Sequence, residues 1–467
     1  MNPPSQDRVP LLSKLAYAAP AYALAVVGIP VYVYIPKFYT DVVGINVLAM
    51  GYILFSVRIF DALTDPAMGY LSDRTRTAFG RRRPYLALGS VCIALTMMML
   101  FNPPDIAAPY QTLWFAVSIY GLFLFWTVVT VPYESLGPEM TFDHNERVSL
   151  FGIRDGFLMA GTLAAAAAPA IMRAVFNLPD DAAGERQTFY WISVWYAPLI
   201  IVSSWWCAAR IKENPPITST PSSGMFQSIR QVGKNKPFII LLIAYTISAV
   251  GNNLPATLIL YYVEYVLQSQ KADFFLLLYF VTGIVFLPDW IKVAQRAGKK
   301  RAWLASMAVN TGAFVGVFFL GPGDENIYAI LVCLSGIGFG ATLAIPSAIQ
   351  ADVIDYDELL SGQRREGQYI GLWSVAKKMA AALGVGVGLT VLGTVGYTPN
   401  AVQTEQVQWT LRVLYALVPS VFNLIGFGVA LLYPIDREAH AKIREAIRQR
   451  EKGGPFLDPL KPMDAAA

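Results

Sequence analysis

The chain has 467 residues, is 55% hydrophobic and 15% charged, and carries a net charge of +4 with a mean hydropathy of +0.46. Soluble domains carry about 25% charged residues, so a soluble globular protein is excluded and the long apolar blocks point to a polytopic membrane protein. The basic residues are spread over many short loops, which excludes a nucleic-acid surface, and Cys92, Cys207 and Cys333 lie far apart in apolar blocks, which excludes a disulfide framework or a cysteine metal site.

Twelve apolar blocks lie near 15–36, 48–70, 84–102, 111–135, 149–175 and 189–209, then 237–266, 272–291, 302–320, 327–349, 369–394 and 409–433. Each is long enough for a span of about 20 residues. Residues 1–13 are polar and proline-rich and the first block can itself span, so no cleavable signal peptide is expected. The second block opens the stretch that organises the chain, RIFDALTDPAMGYLSDRTRTAFGRRRPY, from Arg58 to Tyr85. On a helix Arg58, Asp61 and Asp65 share one face. A charge near the centre of a span costs roughly 2.5–3.5 kcal/mol, so the cluster points to a cation, a proton or a polar substrate. Asp73, Arg74 and Arg81–Arg83 belong to the basic loop that follows and are expected to set orientation and latch helix ends.

The fourth block carries Thr127 and Thr130, with Glu134 at its end, and the fifth opens with Arg154 and Asp155. The connection 210–236 is Pro/Ser/Thr-rich and divides the blocks into two sets of six. In the seventh block Asn252 and Asn253 stand beside Pro255, a candidate helix break lining a cavity, with interhelical hydrogen bonding as the competing role. The eleventh block holds Trp373, Lys377 and Lys378, and the tail after Tyr433 reads as a charged amphipathic helix with a disordered end. Each set has a basic turn after its second span, Gly80-Arg81-Arg82-Arg83 and Gly298-Lys299-Lys300-Arg301, as a duplicated transporter would show.

Orientation follows from the basic residues. With both termini cytoplasmic, only Lys37, Arg173, Arg186, Lys271 and Arg412 fall on the opposite face, and Arg58, Arg154, Lys377 and Lys378 lie within or at the ends of spans. The domains are therefore expected at 1–209 and 237–433, each a six-helix bundle, with a cytoplasmic loop at 210–236 and a cytoplasmic tail at 434–467.

The Arg58–Tyr85 stretch, together with FYTDVVG (Phe38–Gly44), VPYESLGPEMTFDHNERVSL (Val131–Leu150), ADVIDYDELLSGQRREG (Ala351–Gly367) and GYTPN (Gly396–Asn400), resembles the glycoside–pentoside–hexuronide:cation symporters, the melibiose permease family of the major facilitator superfamily. The resemblance spans nearly the whole chain. It implies an all-α membrane protein of twelve transmembrane helices in two six-helix bundles. It also implies a coupling-cation site at Asp61 and Asp65, joined by Thr64 and Thr127, with Lys378 as the neighbouring lysine and Lys377 as the choice if the register slips by one. Arg154 matches the family's sugar-site arginine. The galactoside-binding acids are replaced, by Ala25 on the first span and Thr130 on the fourth, and a tryptophan just beyond is replaced by Glu134. The cation site is thus retained and the galactoside grip is not.

Physically, two carboxylates one turn apart repel when both ionise, and need a cation, a proton or a basic neighbour. Arg58 is placed to pair with Asp61, or serves structure alone, and Lys378 to approach from the other half. Four oxygens, from Asp61, Asp65, Thr64 and Thr127, suit a small hard cation; sodium is preferred and a proton is the alternative. Arg154 is expected to contact substrate, against an ion pair with Asp155. Glu134 is either a substrate ligand or a charge at the cytoplasmic end of its span. Trp373, like Tyr32, Tyr261 and Tyr262, either stacks on a sugar ring or packs. His144 and His440 lie in cytoplasmic segments and are not expected to relay protons.

The expected function is a secondary active symporter for a sugar, glycoside or related polar solute. It would need no cofactor beyond Na+ or H+, and would act as a monomer in the bacterial inner membrane. The competing functions are cation-coupled transport of a non-sugar such as a lysolipid, and a non-transporting membrane sensor. No metal-binding His/Cys cluster or nucleophile–base pair marks an enzyme.

Overall fold

The computed structural model describes residues 9–141, 144–211, 213, 232–362, 366–451 and 458–460. Most of the expected central connection and the end of the tail lie outside these residues. Two sets of helices are present. The first comprises α1 (Leu11–Val43), α2 (Val47–Arg74), α3 (Arg83–Phe101), α4 (Ala108–Met140), α5 (His144–Phe176) and α6 (Ala182–Arg210). The second comprises α7 (Lys236–Tyr265), α8 (Ala272–Val285), α9 (Leu287–Ala297), α10 (Lys299–Val317), α11 (Glu325–Ser361), α12 (Glu366–Thr394) and α13 (Glu405–Leu431); α14 (Arg437–Glu451) forms the tail.

Local chemistry fixes the helix ends. Gly44 at φ +89° ends α1, a left-handed conformation open to glycine without cost. Asn46 then caps α2, its side chain accepting from the amides of Leu48 and Ala49 at 2.9 and 3.2 Å. Asp181 and Thr404 cap α6 and α13 in the same way.

Among the described residues ten helices are long and apolar enough to cross a membrane, or eleven if α8 and α9, bent by 40°, make one crossing. Twelve were expected. The remaining block became α10, which begins Lys299-Lys300-Arg301, includes Ser306, Asn310 and Thr311, and stops at Val317 before the apolar Phe318-Phe319-Leu320. Its 19 residues are therefore too polar to count by composition alone.

A second expectation fails at Pro255. α7 runs unbroken from Lys236 to Tyr265. Gly251 lies against Phe422 and Pro419 of α13, and Asn253 lies against Gly384 of α12. Packing on both sides keeps the helix continuous through the proline, as membrane helices allow.

α1 packs on α5 and α6, and α3 on α4 and α6; α7 packs on α12 and α13, and α10 on α11. Across the two sets α2 lies along α12, α5 against α8, and the Pro30–Tyr34 stretch of α1 against α7. The α2–α12 approach is close, since a Cβ on Gly393 would stand 2.8 Å from the Leu48 amide nitrogen. Outward faces are apolar at Leu63, Leu88, Val175 and Val202, as a lipid-facing surface requires.

Candidate functional site

The α2–α12 contact places three charges together. Lys378 Nζ stands 3.0 Å from Asp61 Oδ2 and 2.5 Å from Asp65 Oδ2. Thr127 Oγ1 on α4 lies 2.9 Å from Asp61 Oδ1 and 3.0 Å from Asp65 Oδ1. Asp61 is 3% exposed, while the side chains of Asp65 and Lys378 are each 24% exposed, so the site opens on the Asp65 side. Two carboxylates and one ammonium leave one negative charge. A threonine hydroxyl has one proton and can donate to one of the two carboxylates. The other contact is favourable only when that carboxylate is protonated or a cation draws on the oxygens. The arrangement thus carries one formal negative charge that Lys378 does not balance.

Thr64 turns its hydroxyl back to the Asp61 carbonyl at 3.1 Å, away from the carboxylates. Arg58 takes a different partner from the one expected. It donates to Tyr32 Oη at 2.9 Å and lies 4.1 Å over the Tyr32 ring and 4.5 Å over Phe123. Among the described residues no ion pair joins Arg58 to Asp61.

Arg154 pairs with Asp155 at 2.7 Å and covers Phe151 at 4.8 Å. Glu134 is exposed, and the charges of Arg154, Lys377, Asp65 and Lys378 act on it. Thr130 is half-buried on α4. Ala25 packs toward Gly161 of α5, where an added Cβ would come within 2.8 Å of it. Trp373 stacks on Tyr245 at 4.1 Å. Asn252 Oδ1 accepts from Asn310 Nδ2 at 3.2 Å and Asn423 Nδ2 at 3.0 Å, an interhelical hydrogen-bonded cluster on an unbroken helix.

Sequence reasoning missed a second constellation. Asp41 of FYTDVVG is 7% exposed and accepts from Tyr397 at 2.7 Å, Tyr265 at 2.8 Å and Thr40 at 2.7 Å. Lys37 Nζ pairs with it at 3.0 Å and with Glu264 at 2.5 Å. Asn400 of GYTPN donates from its side chain to the Asp41 carbonyl. Burial, and then the Asp41 carboxylate, hold the Tyr397 phenol well above its ordinary range, so it stays a donor. The cluster ties α1 to α7 and to the segment after α12, and Arg173 on α5 adds a 3.7 Å contact to Asp273 on α8. The charge rule expects these groups on the face opposite the termini. The signal available in the sequence was an acid, tyrosines and an asparagine at span ends, without any indication that they meet.

The sequence profile of the family described as MFS/sugar transport protein matches residues 16–437. The glucuronide carrier protein homolog of Escherichia coli is 27% identical over 89% of this chain and 91% of its own. The isoprimeverose transporter of Lactiplantibacillus pentosus is 26% identical over 92% of this chain and 90% of its own. Among solved structures the nucleoside transporter NupG superposes with a TM-score of 0.65 at 12% identity, covering 89% of this chain and 99% of that one, a likeness of fold. With its profile match across both helical sets and relatives matched nearly end to end, the chain belongs to the MFS/sugar transport family, as a multi-pass membrane carrier of the glycoside–pentoside–hexuronide:cation symporter type that moves solutes rather than converting them.

Proposed function

We propose that this carrier couples inward movement of one cation, sodium in preference to a proton, to uptake of a sugar or glycoside across the bacterial inner membrane. Both termini are cytoplasmic, and one chain holds the whole path. The observation that carries the reading is the single uncompensated negative charge shared by Asp61, Asp65 and Lys378 beside Thr127. The oxygens of Asp61, Asp65 and Thr127 would hold sodium, with Lys378 displaced. Thr64 adds an oxygen only if its hydroxyl turns. Relatives that carry a glucuronide and isoprimeverose support a glycoside as the solute.

The coupling works by alternating access. On this reading the Asp41 cluster is the outer closure, which must open once in each cycle. A cation drives the cycle to the extent that it binds the outward-facing state more tightly, since only differential affinity shifts an equilibrium. Proteoliposomes loaded with an imposed sodium gradient, or a proton gradient without sodium, test the reading by accumulation of labelled glycosides. Sodium-driven accumulation is expected. Accumulation under a proton gradient alone reassigns the ion, and accumulation of a lysolipid in place of any glycoside overturns the substrate class.

A further inference from the structure

The two helical sets repeat one basic turn, and the repeats differ in what fills them. In the first set Gly80, at φ +109°, leads toward α3, and the amides of Arg81, Arg82 and Arg83 all donate to the Glu213 carboxylate, at 2.7, 2.9 and 2.9 Å. Successive amides at the start of a helix form a nest for an anion. A Cβ on Gly80 would stand 2.6 Å from Glu213 Oε1, so the carboxylate fills this nest. In the second set Gly298, at φ +93°, leads in the same way into Lys299, Lys300 and Arg301 of α10. There no side chain caps the helix, and a Cβ on Gly298 would meet nothing nearer than Arg437 Cβ at 3.9 Å. Asp436 follows α13 as Glu213 follows α6, but it caps α14 instead, accepting from the Ala439 amide at 2.9 Å.

The open turn lines a cavity of about 640 Å³ between α9, α10 and the α13–α14 connection. Its charge is unbalanced. Lys299 pairs with Asp352 at 2.6 Å, and His440 approaches the same carboxylate at 3.3 Å. Lys300 donates to the carbonyls of Leu431 and Tyr433 at 2.9 and 2.6 Å, which orient its ammonium without cancelling its charge. Arg437 reaches the Arg296 carbonyl at 3.5 Å, and Arg301 lies on the same wall. Among the described residues Arg296, Lys300, Arg301 and Arg437 make no ion pair. The acids left on the wall are Glu438, which is exposed, and Asp436, which is occupied at α14. The cavity also borders the apolar surface. Ile291 and Val293 are exposed on α9 just before its lining residues, and Leu431 and Leu432 are exposed beside the carbonyls that Lys300 holds.

We infer that this cavity binds the phosphate headgroup of an anionic phospholipid of the cytoplasmic leaflet. The phosphate lies on the first amides of α10, flanked by Arg296, Lys300, Arg301 and Arg437, and the acyl chains run over Ile291, Val293, Leu431 and Leu432. A helix N-terminus and surrounding cations both favour an anion. Basic pockets between spans on the cytoplasmic side suit such headgroups, and the charge rule puts this end of the chain there. The apolar rim selects a lipid over a soluble phosphate. The first set is self-sufficient, because Glu213 supplies its own anion; the second takes its anion from the membrane. Touching both the α10 turn and the α13–α14 connection, the lipid fastens the tail helix to the second set.

The full chain in phosphatidylcholine nanodiscs, with phosphatidylglycerol increasing from none to equal parts, tests this through the melting temperature. The melting temperature is expected to rise and saturate with phosphatidylglycerol, and not to respond to millimolar glycerol 3-phosphate in nanodiscs of phosphatidylcholine alone. Arg296→Gln combined with Arg301→Gln is expected to weaken the lipid about thirtyfold, since each basic group near an anionic surface contributes about a factor of five. The rise is then lost over the same range, while melting in phosphatidylcholine alone is unchanged. Lys442→Gln combined with Arg444→Gln removes the same charge from exposed positions of α14 outside the cavity and is expected to keep the rise. Independently of stability, mass spectrometry of the intact protein is expected to find an additional phosphatidylglycerol retained on the unaltered chain relative to the Arg296/Arg301 variant. No rise specific to phosphatidylglycerol, an equal rise with glycerol 3-phosphate, loss of the rise in the Lys442/Arg444 variant, or equal lipid retention by the Arg296/Arg301 variant each overturns the inference.

Discussion

Asp65→Asn isolates the electrostatic core of the coupling site. In the native arrangement Asp61 and Asp65 carry two negative charges against the ammonium of Lys378, which lies 3.0 and 2.5 Å from them. The substitution leaves one carboxylate against one ammonium, a neutral site with the same shape. An entering cation then loses one full carboxylate attraction. At about 4 Å, with an effective dielectric near 20, that attraction is about 4 kcal/mol, and tenfold in affinity corresponds to about 1.4 kcal/mol. Sodium affinity is expected to fall by roughly three orders of magnitude. In the native protein sodium at a hundred times its dissociation constant is expected to stabilise the fold by about 2.7 kcal/mol, and this increment is expected to vanish in the variant. Thermal unfolding over a sodium series, with potassium holding ionic strength, reads the effect directly. A variant that folds, inserts and still melts at higher temperature with added sodium would refute the assignment of charge to this pair.

Thr127→Val removes the one hydroxyl that touches both carboxylates while keeping the side-chain shape; cation affinity is expected to fall about ten- to a hundredfold, measured in the same sodium series. Lys378→Gln leaves two unopposed carboxylates, so sodium binding persists or tightens while sodium-driven accumulation in vesicles drops. Asp41→Asn weakens the outer closure, and labelling of an Ala256→Cys probe by a membrane-impermeant reagent from the outer face is expected to rise several-fold. Gly393→Ala drives a Cβ to 2.8 Å from the Leu48 amide and is expected to cost about 1–3 kcal/mol by overpacking, seen as a lower melting temperature together with loss of the sodium effect.

The membrane class and the carboxylate pair were legible because each rests on a local pattern. Long apolar blocks declare spans, and acids at helical spacing inside one declare a site. Thr127 and Lys378 were reached through family resemblance, since nothing local says that α4 and α12 meet α2. Of the two roles left open for Arg58, a pair with Asp61 or structure alone, the pair is not seen for the same reason. Asp61 is its neighbour in sequence, but Tyr32 on α1 and Phe123 on α4 offer ring faces that the one-dimensional chain does not reveal. Pro255 misled because a lone proline marks a break only when no neighbour steadies the helix. The block near 302–320 is the one that composition alone does not confirm as a crossing, because its helix takes in Lys299–Arg301 and stops before Phe318. The Asp41 cluster was invisible because its hydrogen-bonded members stand up to 359 residues apart, from Asp41 to Asn400.

One helix connects the parts that a symporter must couple. α12 carries Lys378 against Asp61 and Asp65, and the segment leaving its outer end supplies Tyr397 and Asn400 to Asp41. From Lys378 to Thr394 the helix rises about 24 Å, so the two sites do not touch. On the symport reading, coupling between them would run through α12, which packs closely on α2. The same packing explains why Lys378 is a lysine on the opposing half rather than a cation of α2 itself. An ammonium on α2 would neutralise the carboxylates in every conformation and leave nothing for an ion to change. An ammonium on α12 makes the charge balance depend on where α12 lies relative to α2, and that dependence is the differential affinity that coupling requires.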